Sequence, residues 1–404
     1  MPRTSAKTKD RHDPIQLLTP QGEAVTDARL PFDPSGADLP ALYRDMVLAR
    51  RLDTEAIALQ RQGELGLWPS LFGQEAAQIG AARALRPADM VFPTYREHGV
   101  AWCRGLDPAS LLGLFRGTTL GGWDPRDVNF NLYTLVIGAQ TLHAVGYAMG
   151  IVRDTGRITG TDRGRDTGSD FADPAVEHPV DPADPTDPTD PAVLAFLGDG
   201  ALSEGETNEA FIWATTQSLP VVFFCQNNQW AISAPYSVQS TVPVAQRAAG
   251  FGLPGIRVDG NDVLACLAAT RSALHTARTG GGPTLIEAFT YRRNAHTTAD
   301  DASRYRETAE EKEWAAKDPI SRVRDHLVNT GAADPAYFAG IEAEAQTFAE
   351  GLRSRCRALP EPDPALPFEH TYAEMTPELR RQLAEHRAYL TSLREMSDLS
   401  GERA

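Results

Sequence analysis

Val193-Leu194-Ala195-Phe196-Leu197-Gly198-Asp199-Gly200-Ala201-Leu202-Ser203-Glu204-Gly205, answered downstream by Val221-Val222-Phe223-Phe224-Cys225-Gln226-Asn227-Asn228, decides the reading of this chain. The unbroken apolar run at 193–197 predicts a buried strand that stops at a Gly-Asp-Gly turn. A helix is expected over about 204–217, then a second apolar strand at 221–225 ending in the asparagine pair. Parallel strands joined by a helix run the same way. Asp199 and Asn228 therefore belong at one carboxyl edge of a parallel sheet. A carboxylate and an amide carbonyl converging there make a hard, oxygen-only site suited to Mg²⁺, with other positions left to phosphate oxygens and water. An Asp-Gly turn after a strand is commonplace, so the weight lies in the pairing of the two segments.

Working outward, Leu42, Met46, Leu48, Ala49, Leu52, Ala56 and Leu59 recur at helical spacing, which predicts an amphipathic helix over 39–62. Residues 132–137 read as a strand leading into a helix that begins near Gly138. Further strands are expected at 255–258 and 284–288, with a helix between them over about 261–279. Beyond Glu310 the pattern is helical, broken by prolines around 359–367. Residues 1–37 are rich in proline and charge and read as a flexible arm. The stretch 153–191 ends in alternating Asp and Pro from Asp181 to Pro191. That alternation suits neither helix nor central strand, so it reads as a disordered insertion within the domain. The expected fold is α/β: a doubly wound parallel sheet with helices on both faces and helical N- and C-terminal extensions.

Composition narrows the partners. The chain has 404 residues, 42% hydrophobic and 23% charged, enough for a large core. With 39 basic against 54 acidic residues the formal charge is −15, which argues against nucleic acid or an anionic membrane as a general partner. The four cysteines form no CxxC pair and point to free thiols in a reducing, cytoplasmic setting. The polar first ten residues lack the apolar core of a signal peptide. The most apolar window, 132–152, carries Thr134, Gln140, Thr141 and His143 and reads as buried rather than membrane-spanning.

The Gly-Asp-Gly…Asn-Asn pair resembles the motif of thiamine diphosphate enzymes. Gly73-Gln74-Glu75-Ala76-Ala77, Pro93-Thr94-Tyr95-Arg96-Glu97, 256–263 and 291–306 extend that resemblance. Together they are similar to the alpha subunit of the decarboxylating component of 2-oxo acid dehydrogenase complexes, the branched-chain type in particular. The resemblance runs from about Leu42 to Arg306 and implies a thiamine diphosphate-binding domain over 38–310, followed by a helical extension at 311–404. It implies thiamine diphosphate and Mg²⁺, with the protein anchoring the cofactor and handling protons. Metal ligands would be Asp199 and Asn228 by side chain and Trp230 by backbone carbonyl. Gly200 and Ala201 would lie against the diphosphate, and Tyr95 and Arg96 would contact it. The backbone of Leu135 and Ile137 would hold the aminopyrimidine ring. His296 would sit on an active-site loop, touch the diphosphate and assist proton traffic during acyl transfer. Arg292 would line the same pocket, and Asp300, Asp301 and Arg306 would hold the loop through ion pairs.

The sequence also departs from the branched-chain relatives. Gln226 stands where they carry an arginine, Ala295 precedes His296 where they often have a second histidine, and no histidine occurs between His98 and His143. Thr297 replaces the serine targeted by a kinase, so no phosphorylation control by that route is expected. The glutamate that activates the cofactor belongs, in such enzymes, to a separate beta chain. The resemblance therefore implies half an active site, in an assembly of two alpha and two beta subunits that docks on the lipoyl domain of a dihydrolipoyl acyltransferase. The substrate would be a small 2-oxo acid, branched-chain in preference to pyruvate or acetoin. A catalytically silent scaffold subunit is the alternative of another class. A Rossmann dehydrogenase using NAD directly is excluded by motif, since no Gly-x-Gly-x-x-Gly opens the helix after Gly198.

Overall fold

The computed structural model describes residues 13–119, 121–155 and 190–401. Five strands form one parallel sheet: β1 (Met90–Phe92), β2 (Val193–Gly198), β3 (Val221–Asn227), β6 (Gly255–Asp259) and β7 (Thr284–Phe289), in the order β1-β2-β3-β7-β6. A small antiparallel hairpin, β4 (Trp230–Ala231) and β5 (Ala234–Pro235), follows β3. Successive side chains of a strand point to opposite faces, and here both faces are buried. Leu194 and Phe196 pack in one core with Val222, Phe224 and the helix Val263–Arg278; Val193, Ala195 and Leu197 pack in another with Phe223 and Phe211. The two apolar runs quoted at the outset are therefore central strands, and the doubly wound expectation is met.

The strand order matters for the site. From β3 the chain passes to β6 at the far edge, and β7 then returns between them. Crevices for ligands open outside the carboxyl ends of strands where such an order reverses.

The first long helix, Leu39–Arg61, starts where Asp38 accepts the Ala41 N–H at 2.9 Å, and it buries the predicted stripe from Leu42 to Leu59. The helix Pro335–Arg357 packs against it, placing Phe338, Ile341, Leu352 and Cys356 in the same core. The helices Pro319–Asn329 and Pro335–Arg357 thus share the hydrophobic core of the sheet domain.

Two expectations are corrected. Residues 13–37 are docked: Ile15 pairs with Val258 beside β6, and Leu17 and Leu18 are buried. Asp262 secures them by accepting both of their N–H groups at 2.6 Å. Residues 132–137 form no strand. After Phe130 makes a single bridge to Val91, the chain leaves the short β1, so it has no edge left to pair with. Leu135, Val136 and Ile137 are 69%, 70% and 42% exposed. The helix expected after Gly138 is present at Ala139–Asp154. The Asp/Pro insertion lies almost wholly outside the described residues, as does the start of the arm. All four cysteines are free, and among the described residues no helix is long and apolar enough to cross a membrane.

Candidate active site

The ends of β2, β3 and β7, with the turn after β1, surround a cavity of about 280 Å³. Tyr95 and Arg96 reach it from β1, Asp199, Gly200 and Ala201 from β2, Asn228 and Trp230 from β3, and Arg292 and His296 from β7. Ile137 lines it too. Leu135, singled out for its main chain, is not among the lining residues, and its side chain is exposed. Of the residues named for metal, cofactor and proton transfer, all but that one line the cavity.

Asp199 is 2% exposed, and its partner is the Gln239 amide at 3.0 Å. Burial pushes its carboxyl up to about 6, against the opposing pull of Gln239, Arg292 and the Asn228 N–H. Asp199 and Asn228 line the same cavity. Asn228 donates from Nδ2 to Gln74 Oε1 at 2.8 Å, which leaves its Oδ1 as acceptor for the Trp230 N–H at 3.2 Å. The Trp230 carbonyl accepts from Arg292 Nη1 at 2.8 Å and keeps a second lone pair. No room exists for a side chain at Gly200, where a Cβ would come within 2.9 Å of the Ala231 Cβ.

The cationic half is equally distinct. Arg96 donates to the carbonyls of Ser70 (2.6 Å) and His296 (2.9 Å); Arg292 donates to those of Trp230 and Ile232, each at 2.8 Å. Among the described residues neither forms an ion pair with a carboxylate. Burial, followed by Arg96, pushes the Arg292 guanidinium below its ordinary range. His296 Nδ1 faces both, at 3.3 Å from Arg96 and 3.5 Å from Arg292. Guanidinium nitrogens only donate, so Nδ1 is the acceptor and the neutral ring carries its proton on Nε2. Burial, then Arg96 and Arg292, pushes His296 down to about 3.

The loop around His296 is held as expected, but by hydrogen bonds to the main chain rather than by ion pairs. Asp300 accepts the His296 N–H at 2.8 Å and the Tyr305 hydroxyl. Arg306 donates to the carbonyls of Arg292, Arg293 and Asn294. Asp301 turns inward on Ser303.

Sequence reasoning missed a set of glutamines and glutamates. Gln226 accepts from Gln74 (3.0 Å) and Gln78 (3.2 Å) and donates to Glu97 at 2.6 Å, a buried chain of amides beneath the cavity. Burial raises the Glu97 carboxyl. Gln140, also on the wall, has a buried Oε1 with no partner among the described residues. The composition of Gly73-Gln74-Glu75 gave a signal for Gln74; nothing local marked Gln239 or Gln140.

These residues fit a metal diphosphate. A buried carboxylate without a counter-cation stands beside amide and carbonyl oxygens, and two arginines without carboxylate partners stand opposite. No cluster of three acidic, histidine or cysteine side chains occurs among the described residues, so any metal there relies on Asn228 and backbone oxygen as well as Asp199.

The dehydrogenase E1 component family matches residues 43–362, which include every residue lining the cavity. The chain belongs to the dehydrogenase E1 component family. Among its relatives, the 3-methyl-2-oxobutanoate dehydrogenase subunit alpha of Mycobacterium tuberculosis is 43% identical over 380 residues, 94% of each chain. The pyruvate dehydrogenase E1 component subunit alpha of Acholeplasma laidlawii is 36% identical over 358 residues, 87% of this chain and 94% of that protein. Its counterpart in Staphylococcus aureus is 35% identical over 326 residues, 80% and 79% of the two chains. An E1 component of this kind implies thiamine diphosphate, in agreement with the cavity.

Proposed function

We propose that this chain is the alpha subunit of a branched-chain 2-oxo acid dehydrogenase, acting in thiamine diphosphate-dependent oxidative decarboxylation with acyl transfer to the lipoyl group of a dihydrolipoyl acyltransferase. The observation that carries the reading is the convergence of Asp199, Asn228, Arg96, Arg292 and His296 on one cavity at the carboxyl edge of the sheet. When bound, thiamine diphosphate supplies the carbanion chemistry that decarboxylation requires.

The chain's own groups anchor, orient and protonate. Asp199, Asn228 and the Trp230 carbonyl would hold Mg²⁺, with Gly200 and Ala201 leaving space for the diphosphate. Tyr95, Arg96 and Arg292 would meet its negative oxygens, and the main chain of Leu135 and Ile137 would take the ring. His296, with its proton on Nε2, is placed to donate there. An anion beside Arg96 and Arg292 would offset the charge that now opposes its protonation.

A beta subunit would complete the site, in a two-alpha, two-beta assembly serving a lipoyl domain. Exposed Leu135, Val136, Ile137 and Ile232 near the cavity are what such a partner would cover. The four free cysteines support a cytoplasmic setting. The relatives' names favour branched-chain substrates at 43% identity over pyruvate at 36%.

The test is a panel of 3-methyl-2-oxobutanoate, 2-oxoisocaproate, 2-oxobutyrate and pyruvate with the chain reconstituted with its beta subunit. The highest kcat/KM is expected for a branched acid. A preference for pyruvate would transfer the chain to the sister complex. Failure to retain thiamine diphosphate and Mg²⁺ would leave only a scaffold.

A further inference from the structure

The loop that carries His296 is tied back to residues 68–72, a segment without regular secondary structure. The Thr298 N–H donates to the Trp68 carbonyl and the Trp68 N–H to Thr298 Oγ1, both at 3.0 Å. The Arg293 N–H donates to the Phe72 carbonyl at 3.0 Å, and Asn294 Nδ2 to Ser70 Oγ at 2.9 Å. Arg96 reaches the Ser70 carbonyl as well. A segment outside any helix or strand has no ladder to fix it, so something else must.

One carboxylate takes bonds from three of that segment's five residues. Asp53, 1% exposed on the helix Leu39–Arg61, accepts from Trp68 Nε1 at 2.8 Å, the Leu71 N–H at 2.9 Å and Ser70 Oγ at 2.5 Å. It has no ion pair among the described residues, and burial pushes its carboxyl up to about 6 against the pull of these donors. A buried carboxylate without a counter-charge costs stability, so its presence asks for a reason. The chemistry supplies one. A carboxylate only accepts, so it fixes the direction of the Ser70 hydroxyl: proton toward Asp53, lone pairs toward Asn294 and the Phe72 N–H (3.2 Å).

We propose that Asp53 is a positioning residue that holds the His296 loop in its cofactor-facing geometry through Ser70 and Asn294. The proposal rests on the reading of the cavity given above. Asp53 lies outside the cavity lining and acts wholly through the segment 68–72. An asparagine at 53 would keep an oxygen for Trp68 and Leu71 but turn an N–H toward Ser70 Oγ, which reverses the hydroxyl and removes the acceptor seen by Asn294.

The experiment uses the chain assembled with its beta subunit and compares Asp53→Asn and Ser70→Ala with Asp45→Asn. Asp45 is a buried carboxylate on the same helix that pairs with Arg83 and Trp102 instead. Amide exchange is read at Arg293 and Thr298, alongside the thermal midpoint, the dissociation constant for thiamine diphosphate and kcat at saturating cofactor. In Asp53→Asn and Ser70→Ala the two loop amides should exchange about tenfold faster, and cofactor affinity should fall by about tenfold with kcat retained. Asp45→Asn should shift the midpoint without singling out the loop. Should Asp53→Asn fail to fold, Ser70→Ala decides, since it leaves the Trp68 and Leu71 bonds in place. Wild-type loop exchange in either variant, at an unchanged midpoint, overturns the proposal. Faster loop exchange with unchanged cofactor affinity upholds the anchor and removes instead the reading of the loop as cofactor-facing.

Discussion

Asp262 and Asp199 follow two strands of the same sheet edge, both are buried, and burial pushes each carboxyl up to about 6. Their surroundings differ. Asp262 accepts four main-chain N–H groups: Leu17 and Leu18 from the arm at 2.6 Å, Leu264 at 3.0 Å and Ala265 at 3.2 Å from the helix it caps. Beside it Asp259 pairs with Arg322 at 2.8 Å and accepts from Gln16. Three distant parts of the chain meet there. Asp199 accepts from a single side-chain amide, Gln239, and lines a cavity that Arg96 and Arg292 line too. One cluster is closed by the chain itself and joins elements together. The other is left short of partners and opens on the cavity. The Ile256–Val263 likeness noted in the sequence therefore reports family architecture, since none of those residues lines the cavity.

Neutralising each aspartate should break the pair apart in opposite ways. Asp199→Asn is expected to lower kcat/KM by at least about 100-fold, since it removes a proposed metal ligand where loss of an outer-shell partner alone costs 10–100-fold. The unfolding midpoint of the metal-free chain should hold or rise, because a buried charge without a counter-ion has been removed. Asp262→Ala is expected to reduce stability in urea by about 3 kcal/mol, with four N–H groups left unsatisfied, while kcat per folded molecule is retained. If Asp199→Asn unfolds the chain and Asp262→Ala abolishes turnover in folded protein, the assignment of the two clusters is reversed. A smaller effect sharpens the open one. Arg96→Lys keeps the charge but loses the planar fork, so the dissociation constant for thiamine diphosphate should rise about tenfold with the midpoint unchanged.

Strands β2, β3 and β7 were legible because a buried parallel strand is an apolar run, and five or six such residues stand out. β1 was not, since Met90-Val91-Phe92 is too short to carry a period. The run 132–137 misled for the converse reason: apolar residues left exposed look the same in sequence as those that face a core. The arm was misread because its order depends on Asp262, 245 residues away, while its own composition is that of a loop. In the site, Asp199 and Asn228 were readable from spacing along two strands, and His296 and Arg96 from their neighbours. Gln239, Gln140 and Asp53 were not, since each matters through a contact that only the fold creates.

His98 offers the smallest test, on a closed part of the molecule. It is fully buried and stacked on Trp68 at 4.1 Å, with Nε2 donating to the Pro69 carbonyl at 2.9 Å and Nδ1 receiving the Tyr133 hydroxyl at 2.7 Å. That arrangement uses the neutral ring. Burial pushes His98 down to about 3; Arg96 adds to the shift and the Pro69 bond opposes it. In the unfolded chain the ring titrates near its ordinary 6.5. As pH falls below about 6.5, the unfolded chain binds a proton that the folded one refuses, so stability drops, by at most about 1.4 kcal/mol per pH unit for one group. Asp53, Asp199 and Asp262, raised from 3.8 to about 6, act with the opposite sign: their contribution falls as pH rises through that interval. The net curve mixes both, so the informative quantity is a difference. His98→Gln should be less stable than wild type at pH 7.5, yet the gap in urea midpoint should narrow steadily toward pH 5.5. Parallel curves would mean that His98 takes up a proton in the fold as readily as in the unfolded chain, and a gap that widens toward pH 5.5 would mean that the folded ring is charged and its bond to Tyr133 runs the other way.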